Sequence, residues 1–559
     1  MEFTFLGWDS IVPPSKICPF FNSTSCCWHK QDVRYKRPKA HLVMKIQQSY
    51  LGTSPQALLS LRLFRFLADD DLTEDLYPAA IAGLYYSVSL GRGGLVFRAS
   101  GYNEKLPLIV EKVLKHFLVT FPQKLRSSNH SEILKKLRYA IDKRGRQLRN
   151  FKVKPAASIA DYVRERCTES LCRWSNISMI RALEEYERML KHDDETATKL
   201  ITSNIIRHVE RLRESLNGRD SSVTIFQHGN ITKEEAGNMS RVIHQTLRQS
   251  AKRGEHQNEG KSGGSGSNSN SSVHTDGRIS LAHLKFALPK RIAKLKLGHD
   301  YILRKAHPNE KEPNSCGYLY IELGENTVQR AALASLVAQI IREPAYDTLR
   351  TKEQLGYIVW RGIEVNCAVI AYYLQVVSST HEASYLYKRM QAFLSSFALI
   401  LKNMTEEEFE QSKRSKIGKL LKADLTLIDE CNRHWREIGS ERYQFARTQS
   451  VVKCMQQITK PDIISFYDRK FRPGSSERAA LCVEIDPLSR IDEIKSVKEA
   501  KLEDNPTANS GRVILRDFNG MNPEDSEASM IKFKEQLEMH PDLRLINHQQ
   551  AMPEKKSSL

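Results

Sequence analysis

Apolar and polar residues alternate in the same order in the two halves of the chain. In each half, a run with a period of two predicts a strand that buries one face, and apolar residues at helical spacing follow it. A second strand, several helices and a last strand complete each half. The predicted strands are His41–Gln48, Leu95–Ala99, Val223–His228, Gly317–Leu323, Leu355–Trp360, Ala368–Val377 and Ala479–Ile485.

Helices are predicted over most of the residues between these strands. Thr232 and Glu235 have the spacing of a capping box, as do Thr405 and Glu408, so a helix is predicted to begin at each place. The other predicted helical segments are Pro55–Ala68, Thr73–Leu90, Leu106–Phe117, 131–216, Val328–Ile340, Leu386–Leu401, Asp462–Phe471 and Met530–Leu537. Because the elements occur in the same order twice, although the residues do not visibly repeat, the sequence predicts an α+β fold of two tandem α/β sandwich domains.

A polar segment separates the two halves. Ser262–Ser272 contains only Gly, Ser and Asn, which cannot bury a core, so it is predicted to be a flexible linker. Met1–Cys27 shows no periodicity of either kind. The predicted segments are an unassigned N-terminal segment over 1–27, a first domain over 28–251, a linker over 252–278, a second domain over 279–487 and a C-terminal tail over 488–559.

The chain is basic, with 85 Lys and Arg against 66 Asp and Glu and a formal net charge of +19. Such an excess is typical of solvated surface lysines, of a nucleic-acid or phosphoinositide partner, or of a cavity for acidic or polyanionic ligands. No signature in which aromatic residues interleave with the basic runs is present. Nucleic acid is therefore not an expected partner.

The sequence contains no signal for a membrane or for export. No stretch approaches 18 uncharged apolar residues, and no basic segment followed by an apolar core begins the chain. The ten cysteines lack the paired spacing of a zinc knuckle, which favours free thiols in a reducing compartment. We therefore predict a cytoplasmic protein with no membrane partner. Its last residues, Ser557-Ser558-Leu559, resemble a peroxisomal targeting signal but lack its basic middle residue.

No motif that carries complete catalytic chemistry occurs in the sequence. The patterns G-x-S-x-G, G-x-x-x-x-G-K-[ST], H-E-x-x-H and H-x-x-E-H are all absent. Partial matches such as His434 and Glu437 lack the adjacent second histidine. His228, at the end of a predicted strand, is interpreted as a turn residue rather than a ligand or a base. The sequence therefore predicts no metal ligands and no cofactor held by this chain.

The run Glu343–Val359, with the sequence EPAYDTLRTKEQLGYIV, is long and specific. It resembles the pitrilysin-type inverted zinc metallopeptidases, the family of insulin-degrading enzyme (insulysin) and nardilysin. Other segments that resemble this family are Trp28–Leu42, Ala79–Leu84, Gly101–Lys105, His228–Thr232, Asn314–Leu323, Met404–Phe409, Tyr443–Arg447 and Phe533–Pro541. Residues 28–559 are therefore similar to the C-terminal half of such an enzyme.

This resemblance implies which part of a protease the chain would provide. The family carries H-x-x-E-H in its N-terminal half, and the two halves close like bowls over a peptide. The resemblance implies that 28–251 is the third domain and 279–487 the fourth, both of the pitrilysin and mitochondrial-processing-peptidase type. These domains supply chamber wall, positive charge and substrate contacts but no metal. Zinc is thus expected in an N-terminal half that is missing from this sequence or provided by a partner.

Two residues in the matching run are implied to contact substrate. The family's arginine and tyrosine at these positions reach across the closed chamber to the scissile peptide, which assigns the same role to Arg350 and Tyr357. A guanidinium and a phenol can donate to a carbonyl oxygen as it gains negative charge. Taken alone, Arg350 would be interpreted as a helix C-cap residue and Tyr357 as a strand residue. The role is auxiliary and needs a zinc-bearing half opposite.

Three functions are consistent with these features. The chain is expected to be the non-catalytic half of a zinc metalloendopeptidase, inactive alone. The alternatives are a non-catalytic subunit that pairs in trans with a zinc-bearing half, and a peptide- or polyanion-binding protein without a protease role. The expected partners are peptide substrates, a zinc-bearing N-terminal half, a second copy of the chain or a polyanion.

Overall fold

The computed structural model describes residues 12–18, 26–48, 54–91, 94–127, 130–169, 174–191, 195–216, 221–255, 291–366, 368–490, 512–515 and 523–540. The chain divides into two compact units. Unit 1 consists of Met1–Arg149, Arg173–Pro289 and Asp424–Tyr443, and unit 2 of Asn150–Cys172, Lys290–Ala423 and Gln444–Leu559. Each unit therefore includes one segment from the half of the sequence that otherwise builds the other unit.

The described residues form strands and helices in a mixed order. The strands are β1 (Ser15–Cys18), β2 (Cys26–Gln31), β3 (Lys39–Gln48), β4 (Tyr85–Gly91), β5 (Gly94–Tyr102), β6 (Ser221–Gly229), β7 (His299–Ala306), β8 (Ser315–Glu325), β9 (Ile358–Asn366), β10 (Val369–Ser378), β11 (Ala479–Asp486) and β12 (Arg512–Leu515). The α-helices are α1 (Pro55–Ile81), α2 (Leu106–Lys115), α3 (Phe121–Ser127), α4 (His130–Arg149), α5 (Ala156–Thr168), α6 (Asn176–Lys191), α7 (Glu195–Ser215), α8 (Lys233–Glu255), α9 (Val328–Ile340), α10 (Arg342–Tyr346), α11 (Ala383–Asn403), α12 (Glu406–Leu420), α13 (Leu427–Gly439), α14 (Arg447–Gln457), α15 (Lys460–Lys470) and α16 (Pro523–Glu535).

The two sheets share the arrangement of five of their six strands, and they differ in the edge strand: β1 pairs antiparallel with β2, whereas β12 pairs in parallel with β7. The sheet of unit 1 has the order β1-β2-β6-β3-β5-β4, and the sheet of unit 2 has the order β12-β7-β11-β8-β10-β9. In each sheet, one central pair of strands is parallel: β2 with β6 in unit 1, and β7 with β11 in unit 2. The next pairs in each sheet are antiparallel. They are β6 with β3, β3 with β5 and β5 with β4 in unit 1, and β11 with β8, β8 with β10 and β10 with β9 in unit 2. The prediction of an α+β fold built from two similar sandwiches is confirmed.

Each sheet buries its strands beneath helices. In unit 1, Leu42, Met44 and Phe97 are fully buried and pack with apolar residues of α1 and α2. In unit 2, β8 is buried on both faces, because Leu319 and Ile321 belong to one apolar cluster and alternate residues of the strand belong to another. The alternation of buried side chains follows from the period of two along a strand.

One helix of each unit comes from a distant part of the sequence. Helix α13 packs on β3 and β6 within unit 1, and helix α5 packs on β8 and β11 within unit 2. Helix α13 begins at a capping box formed by Thr426 and Asp429 and turns Cys431 and Ile438 inward. Its amphipathic pattern explains why it is a helix, but only the tertiary structure shows which sheet it covers.

Two helical segments predicted from the sequence are not continuous helices in the structure. The segment predicted as a helix over Thr73–Leu90 ends at Ile81 and continues into strand β4. Gly83 has a φ of 79°, and the amide of Leu84 donates to the carbonyl of Ala79, which closes the helix. The long helical stretch predicted over 131–216 is divided among α4, α5, α6 and α7.

The capping boxes at Thr232 and Thr405 are both present. In each, the threonine hydroxyl accepts from the amide three residues on, and the glutamate at that position accepts from the threonine amide. The segment 1–27, unassigned in the sequence, contains β1 and the start of β2. The linker predicted at Ser262–Ser272 lies outside the described residues, and the predicted domain boundaries stay a prediction.

Candidate functional site

Arg350 and Tyr357 lie close together at one end of β9 in unit 2. Helix α9 is followed by the short helix α10 and by a π-helical turn, Asp347–Lys352, which contains Arg350. The chain then reverses, and Tyr357 lies directly before the first residue of β9. Extra-wide turns of this kind are frequent at functional sites because they displace one side chain from the regular helical surface.

Buried residues on either side fix the turn that carries Arg350. Leu349 and Leu355 are 0% and 1% exposed and belong to the same apolar cluster, and the amide of Leu355 donates to the carbonyl of Leu349 at 3.0 Å. Glu353 accepts two hydrogen bonds of 2.8 Å from the guanidinium of Arg389 on α11. These contacts hold the turn against the body of unit 2, and therefore limit the movement of Arg350.

The guanidinium of Arg350 lies between two aromatic rings. Its central carbon is 4.8 Å from the ring centre of Tyr346 and 4.9 Å from that of Tyr357. Within the described residues, no carboxylate lies at ion-pair distance from Arg350. The rings restrict the rotamers of the arginine through cation–π contacts without using its N–H donors. Those donors are left for a ligand.

Tyr357 presents its phenol to solvent. The residue is 82% exposed, although the half-buried Gly356 and the buried Leu355 directly precede it. An exposed phenol beside a guanidinium forms a pair of adjacent hydrogen-bond donors. The sequence alone would have placed Arg350 at a helix C-cap and Tyr357 in a strand, and neither interpretation predicts that the two side chains touch.

The described residues do not provide a metal site. No group of three or more His, Cys, Asp and Glu side chains in the described ranges is arranged so that it could hold a metal ion. None of the described helices is long and apolar enough to span a membrane.

A second group of polar residues is buried in unit 1. Glu430 on α13 lies 3.6 Å from the Nζ of Lys30, 3.6 Å from the Nε2 of His228 and 3.5 Å from the Nε2 of His434. Arg433 approaches the same carboxylate at 3.6 Å. His228 and His434 are 0% and 1% exposed, so the group joins α13 to the sheet in a region shielded from solvent. We call it the Glu430 cluster.

The environment of the Glu430 cluster shifts several pKa values. Burial opposes ionisation of Glu430, but its contacts with His228 and His434 and the charge of Lys30 hold its pKa well below the usual range. Burial lowers the pKa of His434 to about 4, against the opposing effect of Glu430. Burial and the proximity of His228 lower the pKa of His41 to about 4. The carboxylate is therefore ionised and His434 neutral near pH 7.

The interpretation of His228 as a turn residue is wrong. The residue lies inside β6, its Nδ1 is 2.9 Å from the carbonyl oxygen of Lys30, and its ring stacks on Phe226. The partner carboxylate comes from a residue about two hundred positions away in the sequence, so no local pattern could reveal it. The only local signal was the four-residue spacing of Glu430 and His434, which places both on one face of a helix.

Two family models match parts of the chain. Residues 14–182 match the model described as the middle or third domain of peptidase M16. Residues 336–435, which include Arg350 and Tyr357, match the model described as the C-terminal lobe domain 4 of PQQ synthase PqqF-like proteins.

Whole-protein comparisons agree with these matches. The chain is 27% identical over 463 residues to an insulin-degrading enzyme of Drosophila melanogaster and 25% identical over 461 residues to a nardilysin-like protein of Arabidopsis thaliana. Each alignment covers 82% of this chain but only 40% and 39% of the relative, so the chain spans about two fifths of the length of the curated relatives it matches.

A solved structure has the same fold. The crystal structure of pitrilysin superposes with a TM-score of 0.68 at 16% sequence identity, over 96% of this chain and 47% of pitrilysin. This likeness shows the fold alone, and the sequence comparisons show the relationship. Over most of its length, the chain is a homologue of the C-terminal half of the M16 peptidases insulin-degrading enzyme and nardilysin.

Proposed function

We propose that this chain acts as the non-catalytic C-terminal half of a zinc metalloendopeptidase that degrades peptides in a closed chamber. One observation carries the proposal: Arg350, in cation–π contact with Tyr346 and the exposed Tyr357, forms with Tyr357 a pair of adjacent donors. The pair lies within the region that matches the C-terminal lobe domain 4 of PqqF-like proteins. The proposal assigns to Arg350 and Tyr357 an auxiliary role in substrate binding.

In this proposal, the two side chains act on the carbonyl group of the scissile peptide bond. The carbonyl oxygen gains negative charge as the bond is attacked, and fixed N–H and O–H donors stabilise that charge more than the neutral oxygen. Because the aromatic rings and the buried turn already hold Arg350, little conformational entropy is lost when it binds. Neither residue can attack the peptide or generate the nucleophile.

The metal chemistry of such a peptidase has to come from elsewhere. Since the described residues do not fit a zinc site, the proposal derives no step from zinc within them. It places zinc in an N-terminal half, either of the same enzyme or of a separate subunit. The third candidate, a peptide- or polyanion-binding protein, uses the same donors and the basic charge without any cleavage.

Peptidase activity of the mixed halves tests the proposal. The purified chain is assayed alone and with a zinc-bearing N-terminal half of a related enzyme, on a quenched fluorogenic peptide, with and without a chelator. We expect no cleavage by the chain alone and chelator-sensitive cleavage on mixing. Peptide binding without cleavage in either assay, together with a demonstrated complex of the two halves, would instead support a binding protein.

The variant Tyr357→Phe tests the assigned role. In the mixed enzyme we expect kcat to fall by about 10²-fold with a smaller change in KM, because the lost donor acts mainly in the transition state. Tyr385→Phe is the matched control, since Tyr385 is another exposed tyrosine of unit 2, outside the pair. An unchanged kcat for Tyr357→Phe would refute the proposed role of the phenol in the transition state.

A further inference from the structure

A cleft of about 570 Å³ lies in unit 2 beside β9, next to the Arg350 and Tyr357 pair. Its lining includes Arg342, Glu343 and Tyr346 from α10, Trp360 and Arg361 from β9, and Tyr373 from β10. Arg361 and Trp360 are consecutive in a strand and therefore point to opposite faces of the sheet. The cleft thus extends over the edge of the sheet instead of lying on one face.

Two arginines give this cleft an excess of positive charge. Arg342 and Arg361 both line it, whereas Glu343 is the single carboxylate among the lining residues that the structure describes. The Glu343 carboxylate is itself 85% exposed and lies 3.9 Å from the Nε of Arg342. It can offset one of the two charges at most, so the cleft has a net attraction for an anion.

Arg361 is the more enclosed of the two arginines. Its Nη1 donates to the carbonyl of Val359 at 3.1 Å, and its guanidinium carbon lies 5.6 Å from the ring centre of Tyr346. Its Nε is buried and has no hydrogen-bond partner among the described residues. Burial, together with the charge of Arg342, lowers the pKa of Arg361, which means that its cationic form is not fully compensated. A carboxylate bound in the cleft would compensate this positive charge.

The strand beside the cleft is the last one in its sheet. Within the described residues, β9 pairs with β10 on one side and with no strand on the other. A strand at the edge of a sheet presents unpaired N–H and C=O groups, to which an extended peptide can add as a further strand. Such a peptide would pass directly over the opening that Arg342 and Arg361 line.

We propose that this cleft is a specificity subsite that binds an aspartate or glutamate side chain of an extended peptide laid along β9. Because β9 continues beyond Arg361 to Asn366, the bound segment passes the cleft on both sides, which favours an internal acidic side chain over a C-terminal carboxylate. The inference rests on the proposed function for one point, that the ligand is a peptide.

Peptide binding to the full chain tests this subsite without any zinc-bearing half. The probes are three fluorescein-labelled peptides of about 12 residues, long enough to pair with all of β9. One has a central glutamate and an amidated C-terminus, one a central glutamine and an amidated C-terminus, and one a central glutamine and a free C-terminal carboxylate. Fluorescence anisotropy at low and high ionic strength gives each dissociation constant.

We expect the glutamate peptide to bind about tenfold more tightly than both glutamine peptides at low ionic strength, and less so at high ionic strength. The double variant Arg342→Gln/Arg361→Gln should lose this preference while it still binds the glutamine peptides as the unchanged chain does. Arg414→Gln, an exposed arginine on α12 of the same unit, is the control and should keep the preference.

Three results would overturn the subsite. They are equal binding of the glutamate and glutamine peptides, a preference that survives in the double variant, and a preference for the free C-terminal carboxylate over the glutamate side chain. The same melting temperature for the double variant and the control shows that both are folded. The peptidase assay of Tyr357→Phe is independent of the binding assay. If Tyr357→Phe lowers kcat but the chain does not prefer the glutamate peptide, only the subsite is refuted. If the chain prefers the glutamate peptide but Tyr357→Phe leaves kcat unchanged, only the role of Tyr357 is refuted.

Discussion

The burial and ionisation of single residues in this protein depend on partners that are distant in the sequence. A glutamate such as Glu430 in an amphipathic helix is expected from the sequence to face solvent. In unit 1, however, it faces Lys30, His228 and His434. Burial of a carboxylate is tolerated only where cations or hydrogen-bond donors compensate it. The Glu430 cluster is such a compensated group, and it links α13 to β2 and β6.

Acid should destabilise unit 1 through the buried His434 and the half-buried His41. Since the pKa values of His434 and His41 are about 4 in the folded state and near 6.5 when unfolded, the unfolded chain binds more protons as the pH falls below about 6.5. Their contribution to stability is complete above that pH and is lost progressively toward pH 4. Each histidine then contributes a slope of up to about 1.4 kcal/mol per pH unit.

The variant His434→Gln should reduce this pH dependence. Chemical denaturation at pH 7.5, 6.5 and 5.5 measures it, and we expect a shallower decline with pH for the variant than for the unchanged chain. His299→Gln, which alters a histidine of unit 2, is the control and should leave the decline as it is. Parallel stability curves for His434→Gln and the unchanged chain would show that His434 does not contribute.

At the scale of elements, short irregular segments position the candidate site. The π-helical turn Asp347–Lys352 and the reversal after it place Arg350 and Tyr357 side by side, although seven positions separate them in the sequence. Gly356 is required within this reversal. A Cβ atom there would lie 1.9 Å from the carbonyl oxygen of Val377, which belongs to the backbone of β10 and cannot move aside.

The variant Gly356→Ala should therefore lose stability, by about 1–3 kcal/mol, because the added methyl group forces β10 and the turn apart. Gly418→Ala is the matched control: Gly418 is exposed on α12 and has no atom within 4 Å of its added Cβ. That change should stabilise the chain by about 0.5–1 kcal/mol, because alanine favours the helix. Urea denaturation compares the two, and equal effects would contradict the close approach at Gly356.

At the scale of the whole molecule, the two units share a five-stranded arrangement, although their sequences do not visibly repeat. Five strands have the same order in both sheets, yet the chain exchanges α5 and α13 between the two halves of the sequence. Unit 1 therefore depends on a segment, Asp424–Tyr443, that follows the predicted linker by more than a hundred residues. Neither half of the sequence contains all the elements of its own unit.

Cleavage of the predicted linker should leave both units folded. A protease site introduced into Ser262–Ser272 cuts a stretch of Gly, Ser and Asn that cannot contribute core contacts. We expect an unchanged melting temperature after the cut, and both fragments in one peak on gel filtration, since each unit contains residues from both fragments. A fragment of residues 1–261 expressed alone lacks α13 and should be unstable. A large fall in melting temperature on cleavage would show that the linker is structural.

The classes of element and the relationship of the chain to other proteins can be recognised from local sequence patterns. Periods of two and of 3.6 reflect which faces are buried, and capping boxes act over four residues, so both are local and can be recognised without a structure. The match of Glu343–Val359 to the M16 peptidases is likewise a property of the sequence. The end of α1 at Ile81 was missed, because the apolar residues of Tyr85–Gly91 fit either period and only the left-handed Gly83 decides between them.

Contacts between distant segments follow from the packing of the folded chain and from no pattern in the sequence. The pairing of α13 with the sheet of unit 1, the contacts of Glu430 with Lys30 and His228, and the cleft between α10 and the edge of β9 all depend on packing between elements far apart in the chain. Burial and pKa follow from that packing and from no local pattern, since an amphipathic helix can cover any apolar surface of suitable shape.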